Sequence, residues 1–172
     1  MSVDLKLPKA FDEMGESQLD ALLYEFKDAI NAYLGTLDPS QVDCRTLADL
    51  IAFNQAHAND ELIIFGQEIF EMSEVKGPLS DEAYQKALAM LKRTADVEGL
   101  AALLGQHGVE VLMGPGNGPA DLIDPVWGDR RTGGGSPIAS AAAIAGYPSL
   151  TVPAGLVRGP GLAAQRLKGC AG

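Results

Sequence analysis

An α/β fold, with helices packed against a β-sheet, is what this sequence predicts, and three observations predict it. Apolar residues recur at helical spacing through most of residues 17–104. A compact apolar run, Val109-Glu110-Val111-Leu112-Met113, then reads as a strand from the centre of the sheet. After it come a loop, a small-residue helix and a second strand, Ser149-Leu150-Thr151-Val152. Helices first, then strand, loop, helix and strand, is the order of helices set against a sheet.

Taken in order, Val3-Asp4-Leu5-Lys6-Leu7 alternates apolar and polar before Pro8, the pattern of a short edge strand. Ser17, with Asp20 three residues on, is placed to cap a long helix. Leu19, Leu22, Leu23, Phe26, Ile30, Tyr33 and Leu34 fall on one face of it, and Gly35 ends it. Asp38-Pro39-Ser40 is a turn. Thr46 with Asp49 starts a second helix, through about His57, that buries Leu47, Leu50 and Ile51. The apolar run Glu61-Leu62-Ile63-Ile64-Phe65 leads to Gly66-Gln67 and a short helix over 68–75. Gly77-Pro78-Leu79 breaks that helix, and Ser80 is placed to cap the next, through about Thr94. Asp81 and Glu82 at its start suit the helix dipole. A further helix over 96–104 is closed by Gly105 and Gly108.

The chain of 172 residues is long enough for one domain with a real core, and its 47% apolar and 21% charged content is that of a globular protein. The net charge of −10 is uneven: the first 120 residues hold 20 acids against 8 Lys and Arg, the remainder 3 against 5. No basic cluster is present to grip phosphate, which excludes nucleic acid and membrane surface as expected partners. Cys44 and Cys170 are far apart and form no C-x-x-C, so a reducing compartment is expected. No signal-peptide core and no apolar run of membrane-spanning length occurs, and the cytoplasm is the expected location.

The chemistry-bearing candidates are few. The loop Gly114-Pro115-Gly116-Asn117-Gly118-Pro119 has the glycine density of a phosphate cradle, but its two prolines lack the N–H such a cradle uses. His57 and His107 have no carboxylate or thiol at a ligand spacing, so neither metal nor cofactor is expected. Adjacent acids such as Asp60 and Glu61, or Asp81 and Glu82, read as helix-start charge. Thr132-Gly133-Gly134-Gly135-Ser136 looks like a serine-nucleophile loop, since glycines let the backbone offer N–H donors to an oxyanion. Pro137, however, removes the N–H directly after the serine. Ser136 as helix N-cap with Pro137 at the first helical position fits the residues better.

Four strings in order, Leu23-Tyr24-Glu25-Phe26-Lys27, Phe53-Asn54, Phe65-Gly66-Gln67 and Ala145-Gly146-Tyr147-Pro148-Ser149-Leu150-Thr151-Val152-Pro153-Ala154-Gly155, resemble the C-terminal half of amidase signature family hydrolases. Within that family the chain looks more like the bacterial and fungal members akin to peptide amidase. The resemblance covers roughly residues 5–159. It implies a fragment of that family's mixed-sheet fold and, in a complete member, cleavage of carboxylic amides through an acyl-enzyme formed on a serine activated by a second serine and a lysine. It also implies that those three residues lie in a half this chain does not contain, so no catalytic residue carries over to any position here.

The expected organisation is therefore a C-terminal amidase portion over 1–159 and an aberrant tail over 160–172 that need not be ordered. A shifted reading frame or a remodelled end would produce such a tail. The expected function is that of an amidase fragment inactive alone, partnered by an N-terminal amidase half or by self-association. The alternative is a non-catalytic interaction or structural domain, or a truncated pseudogene product. Phe53, Asn54, Gln67 and Asp124 are the candidates for lining a substrate cleft, being motif residues with polar ends or aromatic faces.

Overall fold

The computed structural model describes residues 5–116, 124, 126, 135–159 and 162–168. Gly15–Met90 form one compact unit, and Met1–Met14 with Leu91–Gly172 form the other.

In the first unit the long helix is α1 (Met14–Thr36). Its buried side is Ala21, Leu23, Tyr24 and Leu34. The Tyr24 ring meets that of Tyr84 at 5.5 Å, and Phe26 meets Phe70 at 5.4 Å, both tilted. The turn after α1 is held by the Asp38 carboxylate, which accepts from the Ser40 N–H at 2.8 Å. Arg45 then donates from Nη1 to the carbonyls of Leu34 and Leu37 and from Nη2 to that of Val42. Helix α2 (Leu47–Ala56) opens on a complete capping box. The Thr46 side chain accepts from the Asp49 N–H, and the Asp49 carboxylate accepts from the Thr46 and Arg45 N–H groups. Asn31 of α1 accepts from the Leu47 N–H at 2.7 Å, and Leu47 is fully buried.

A single turn, α3 (Ala58–Glu61), follows, and then α4 (Glu68–Glu74). Lys27 reaches the end of α4, donating to the carbonyls of Glu74 and Lys76 and lying 3.4 Å from the Glu74 carboxylate. A cation at a helix C-terminus both fills orphan carbonyls and opposes the helix dipole. Lys76 pairs with Asp20. Helix α5 (Glu82–Ala95) places Tyr84 in the core, its hydroxyl donating to Glu25 at 2.9 Å.

In the second unit a π turn, Asp96–Leu100, leads into α6 (Ala101–His107). Phe11, Met14, Leu91, Ala95, Leu100 and Leu103 are buried here, with Ala141 and Ala142 of α7 (Pro137–Ala145). Gly99 lets Phe11 approach: a Cβ there would stand 2.4 Å from the Phe11 ring and 2.6 Å from the Thr94 carbonyl. Gly146 closes α7 in the left-handed conformation at φ 77°. Two strands, β1 (Pro153–Gly159) and β2 (Leu162–Lys168), pair antiparallel with Leu156 opposite Arg166 and Val157 opposite Gln165.

The expected fold class, helices on a mixed β-sheet, is overturned. The described chain is helical, and its only sheet among the described residues is the two-stranded β1–β2 ribbon. Residues 109–113 and 149–152 are not strands, nor are residues 5–8; residues 3 and 4 lie outside the described ones. The physical reason is that a strand exists only where a neighbour takes its N–H and C=O groups. Among the described residues, 110–113 and 149–152 make no backbone–backbone hydrogen bond.

Smaller corrections concern helix ends. Ser17 caps nothing: Pro8 leads directly into a 3₁₀ turn, Lys9–Glu13, and α1 begins at Met14. Buried Phe11 and Met14 anchor that earlier start. Leu19, Leu22 and Tyr33 of the expected apolar face are exposed, while Ala21 and Tyr24 are buried instead. Gly105 lies inside α6, and Gly108, at φ 59°, is what ends it.

The capping box gives two expected outcomes in urea unfolding. Thr46→Ala lowers stability by about 1 kcal/mol. The hydrogen bonds from Arg45 and Thr46 hold the Asp49 carboxyl below its usual pKa. Its stabilising effect is therefore complete above the ordinary carboxylate pKa of about 3.9 and is lost as pH falls through the folded value. Asp49→Asn makes the loss of stability below that pH shallower than in the parent chain.

Candidate functional site

Three of the four candidates come together in the unit of residues 15–90. The capping box sets the start of α2, and Phe53 and Asn54 sit in that helix toward its C-terminal end. The helix closes at His57, whose N–H donates to the Phe53 carbonyl at 3.0 Å. The His57 ring Nδ1 lies 2.8 Å from the same carbonyl, a bond that requires the proton on Nδ1. This leaves the imidazole stacked on the Phe53 ring, centroids 4.2 Å apart. Phe53 keeps 45% of its surface exposed. Asn54 Nδ2 donates to Gln67 Oε1 at 3.2 Å, and Gln67 Nε2 donates to the Ile51 carbonyl at 3.4 Å. Gln67 is the buried member, at 9% exposure, and immediately precedes α4.

Asp124 belongs to the other unit. It is half-buried, and its Oδ1 accepts from the Val126 N–H at 3.0 Å.

Chemically, the Phe53, Asn54 and Gln67 group can bind and shape but cannot transfer a proton, because carboxamides and a phenyl ring do not titrate near neutrality. Its polar heads are tied to each other and to backbone. The other serine-loop candidate is likewise engaged: Ser136 Oγ accepts from the Ala139 N–H at 3.3 Å, with Pro137 at the first helical position. Thr132, Gly133 and Gly134 lie outside the described residues, as do Asn117, Gly118 and Pro119 of the proline-interrupted loop and Cys170. Cys44 is a free, half-buried thiol. Among the described residues no group of His, Cys, Asp and Glu is placed to hold a metal ion, and no helix is long and apolar enough to cross a membrane.

Residue-by-residue reading missed two polar contacts. The Tyr147 hydroxyl donates to Asp96 at 2.7 Å, tying the Gly-Tyr-Pro turn to the π turn. That bond, and secondarily burial, raises the phenol above its ordinary pKa. The second is the Lys27 clamp on α4. Both residues sit in the strings that carry the family resemblance, which was the available signal; nothing in local spacing named their partners. An open cavity of about 520 Å³ in the second unit is lined by Lys6, Pro8, Leu103 and His107 among others, and holds none of the four candidates.

No protein-family model matches the chain. Individual proteins do. The chain is 35% identical over 136 residues to a probable amidase of Arabidopsis thaliana, a match covering 78% of this chain and 22% of that protein. Among solved structures, a peptide amidase in complex with the competitive inhibitor chymostatin superposes with a TM-score of 0.81 at 40% identity, covering 97% of this chain and 31% of that one. The chain belongs to the amidase family. It corresponds to a C-terminal portion of such a protein. The native peptide amidase from Stenotrophomonas maltophilia gives a TM-score of 0.75 at 39% identity, over 96% of this chain and 30% of that one. The chain thus spans between about a fifth and a third of the length of the relatives it matches.

The Asn54–Gln67 carboxamide pair is testable in this chain alone. Gln67→Ala removes the hydrogen bonds that tie Gln67 to Asn54 and to the Ile51 carbonyl, and lowers stability by about 1–2 kcal/mol in urea unfolding. Phe53→Ser, at an exposed position, changes it by no more than about 0.5 kcal/mol.

Proposed function

We propose that this chain is the C-terminal part of an enzyme that hydrolyses carboxylic amides, and that it turns over no amide by itself. The observation that carries this reading is the 40% identity to a peptide amidase across 97% of the chain but only 31% of that protein. In this reading the serine, its activating serine and the lysine come from a separate N-terminal amidase half. Phe53, Asn54 and Gln67 line one side of the substrate cleft, offering an exposed ring face beside a fixed carboxamide pair. The use of Ser136 as a helix cap supports leaving it out of the chemistry. A cytoplasmic location belongs to the same proposal.

The test is an amide-hydrolysis assay of the chain alone and of the chain co-expressed with an N-terminal amidase half. The expected outcome is turnover only in the second case. Ser136→Ala leaves that turnover unchanged, at the cost of a helix cap worth about 1 kcal/mol. Phe53→Ala raises KM more than it lowers kcat, as loss of a binding contact does. Hydrolysis by the chain alone that Ser136→Ala abolishes would sink the proposal. Association without any hydrolysis would leave a non-catalytic interaction domain.

A further inference from the structure

In the unit of residues 15–90, five large apolar side chains that follow one another closely stand in solvent. Ile63, Ile64, Phe65, Ile69 and Met72 are each between 42% and 69% exposed. Scattered exposed apolar residues are ordinary, but five within ten positions make a patch. The first three are consecutive between α3 and α4, and Ile69 and Met72 are three residues apart on α4. The inner side of that helix is already used: Ser73 is fully buried and Phe70 packs on Phe26. The outer side of α4 therefore presents Ile69 and Met72, beside Glu68 and Glu71, with nothing of its own unit to cover them.

The rim of the patch is acidic. Asp60, Glu61, Glu68 and Glu71 are all exposed. The unit holds fourteen acidic residues and four basic ones. Each of the four is engaged elsewhere: Lys27 at the end of α4, Arg45 on backbone carbonyls, Lys76 with Asp20 and Lys86 with Glu82. Among the described residues of this unit, no cation is left to meet the rim. Two copies meeting through this same face would set acid against acid, which disfavours a symmetric homodimer.

We infer that the face of Ile63, Ile64, Phe65, Ile69 and Met72 is the docking surface for the complementary amidase polypeptide, and that this partner presents an apolar patch rimmed by Lys and Arg. The inference rests on the amidase reading above. The occupant is indicated by length and charge. The chain reproduces the fold of a peptide amidase over 31% of that protein, so more than two thirds of such a molecule is the polypeptide this portion otherwise meets. The uncompensated acidic rim calls for a basic counterpart.

The test uses the affinity-tagged full chain, co-expressed with the portion of the Stenotrophomonas maltophilia peptide amidase that the chain does not match. Co-purification is expected. Ile64→Asp and, separately, Glu68→Lys reduce the co-purified partner at least tenfold, with the circular dichroism of the chain unchanged. Val97→Asp, at a 65% exposed position in the other unit, leaves it unaltered. No co-purification, or co-purification indifferent to both patch variants, overturns the inference. So does self-association of the chain alone that Ile64→Asp abolishes, because the occupant is then a second copy. Hydrolysis is read separately. Binding that depends on the patch without hydrolysis supports the docking face while the amidase reading fails; hydrolysis indifferent to the patch leaves that reading standing and removes the docking face.

Discussion

Two cations at helix ends hold the unit of residues 15–90 together. Arg45 donates to the carbonyls of Leu34, in the last turn of α1, and Leu37, just beyond it, and Lys27 does the same for α4 at Glu74 and, beyond it, Lys76. Every helix ends with carbonyls that have no partner inside it, and burying them unpaired costs free energy. In an all-helical unit with no sheet to cross-link its elements, these long side chains are among the ties between one helix and the next, beside the Asn31–Leu47 and Tyr84–Glu25 bonds. Arg45 also sits one residue before the capping box of α2, so the end of one helix and the start of another are fixed by neighbouring residues. Leu47, fully buried at the joint, supplies the apolar half of the same connection.

The candidate site inherits its geometry from that joint. Once Thr46 and Asp49 set where α2 begins, Phe53 and Asn54 fall in its C-terminal part, and His57 ends the helix by bonding back to the Phe53 carbonyl. Gln67, buried before α4, completes the link between the two helices through Asn54 and Ile51. The result is a surface on which the carboxamides of Asn54 and Gln67 are fixed beside the Phe53 ring. In the proposed function this surface recognises an amide-bearing ligand, and the reactive groups come from the rest of an amidase. The same unit carries an apolar, acid-rimmed face beside α4, so the proposed recognition and assembly surfaces lie on one small helical scaffold.

Features that depend on a few adjacent residues were legible in the sequence. Thr46 with Asp49 reads as a capping box because both hydrogen bonds close within four residues, and Ser136 with Pro137 reads as a helix start for the same reason. The short helix over 68–75 and the break at Gly77-Pro78 follow from the same local chemistry. The strings around Phe26, Asn54, Gln67 and Tyr147 carried the family resemblance, which similarity to solved peptide amidases bears out. Ser17 failed because a good capping residue is only a local option: Pro8 and buried Phe11 had already committed the chain to helical turns.

The sequence by itself determined the helix starts at Leu47 and Pro137, the acidic character of residues 15–90 and the kinship with amidases, since each rests on near neighbours or on the order of residues. Only the tertiary structure decided that residues 109–113 and 149–152 are not strands, that Gln67 is buried against Ile51 and Asn54, and that Ile63, Ile64 and Phe65 face solvent. A strand, a buried amide and an exposed apolar face are each defined by what lies across from them, and that partner is distant in sequence or, in the proposed assembly, belongs to another polypeptide.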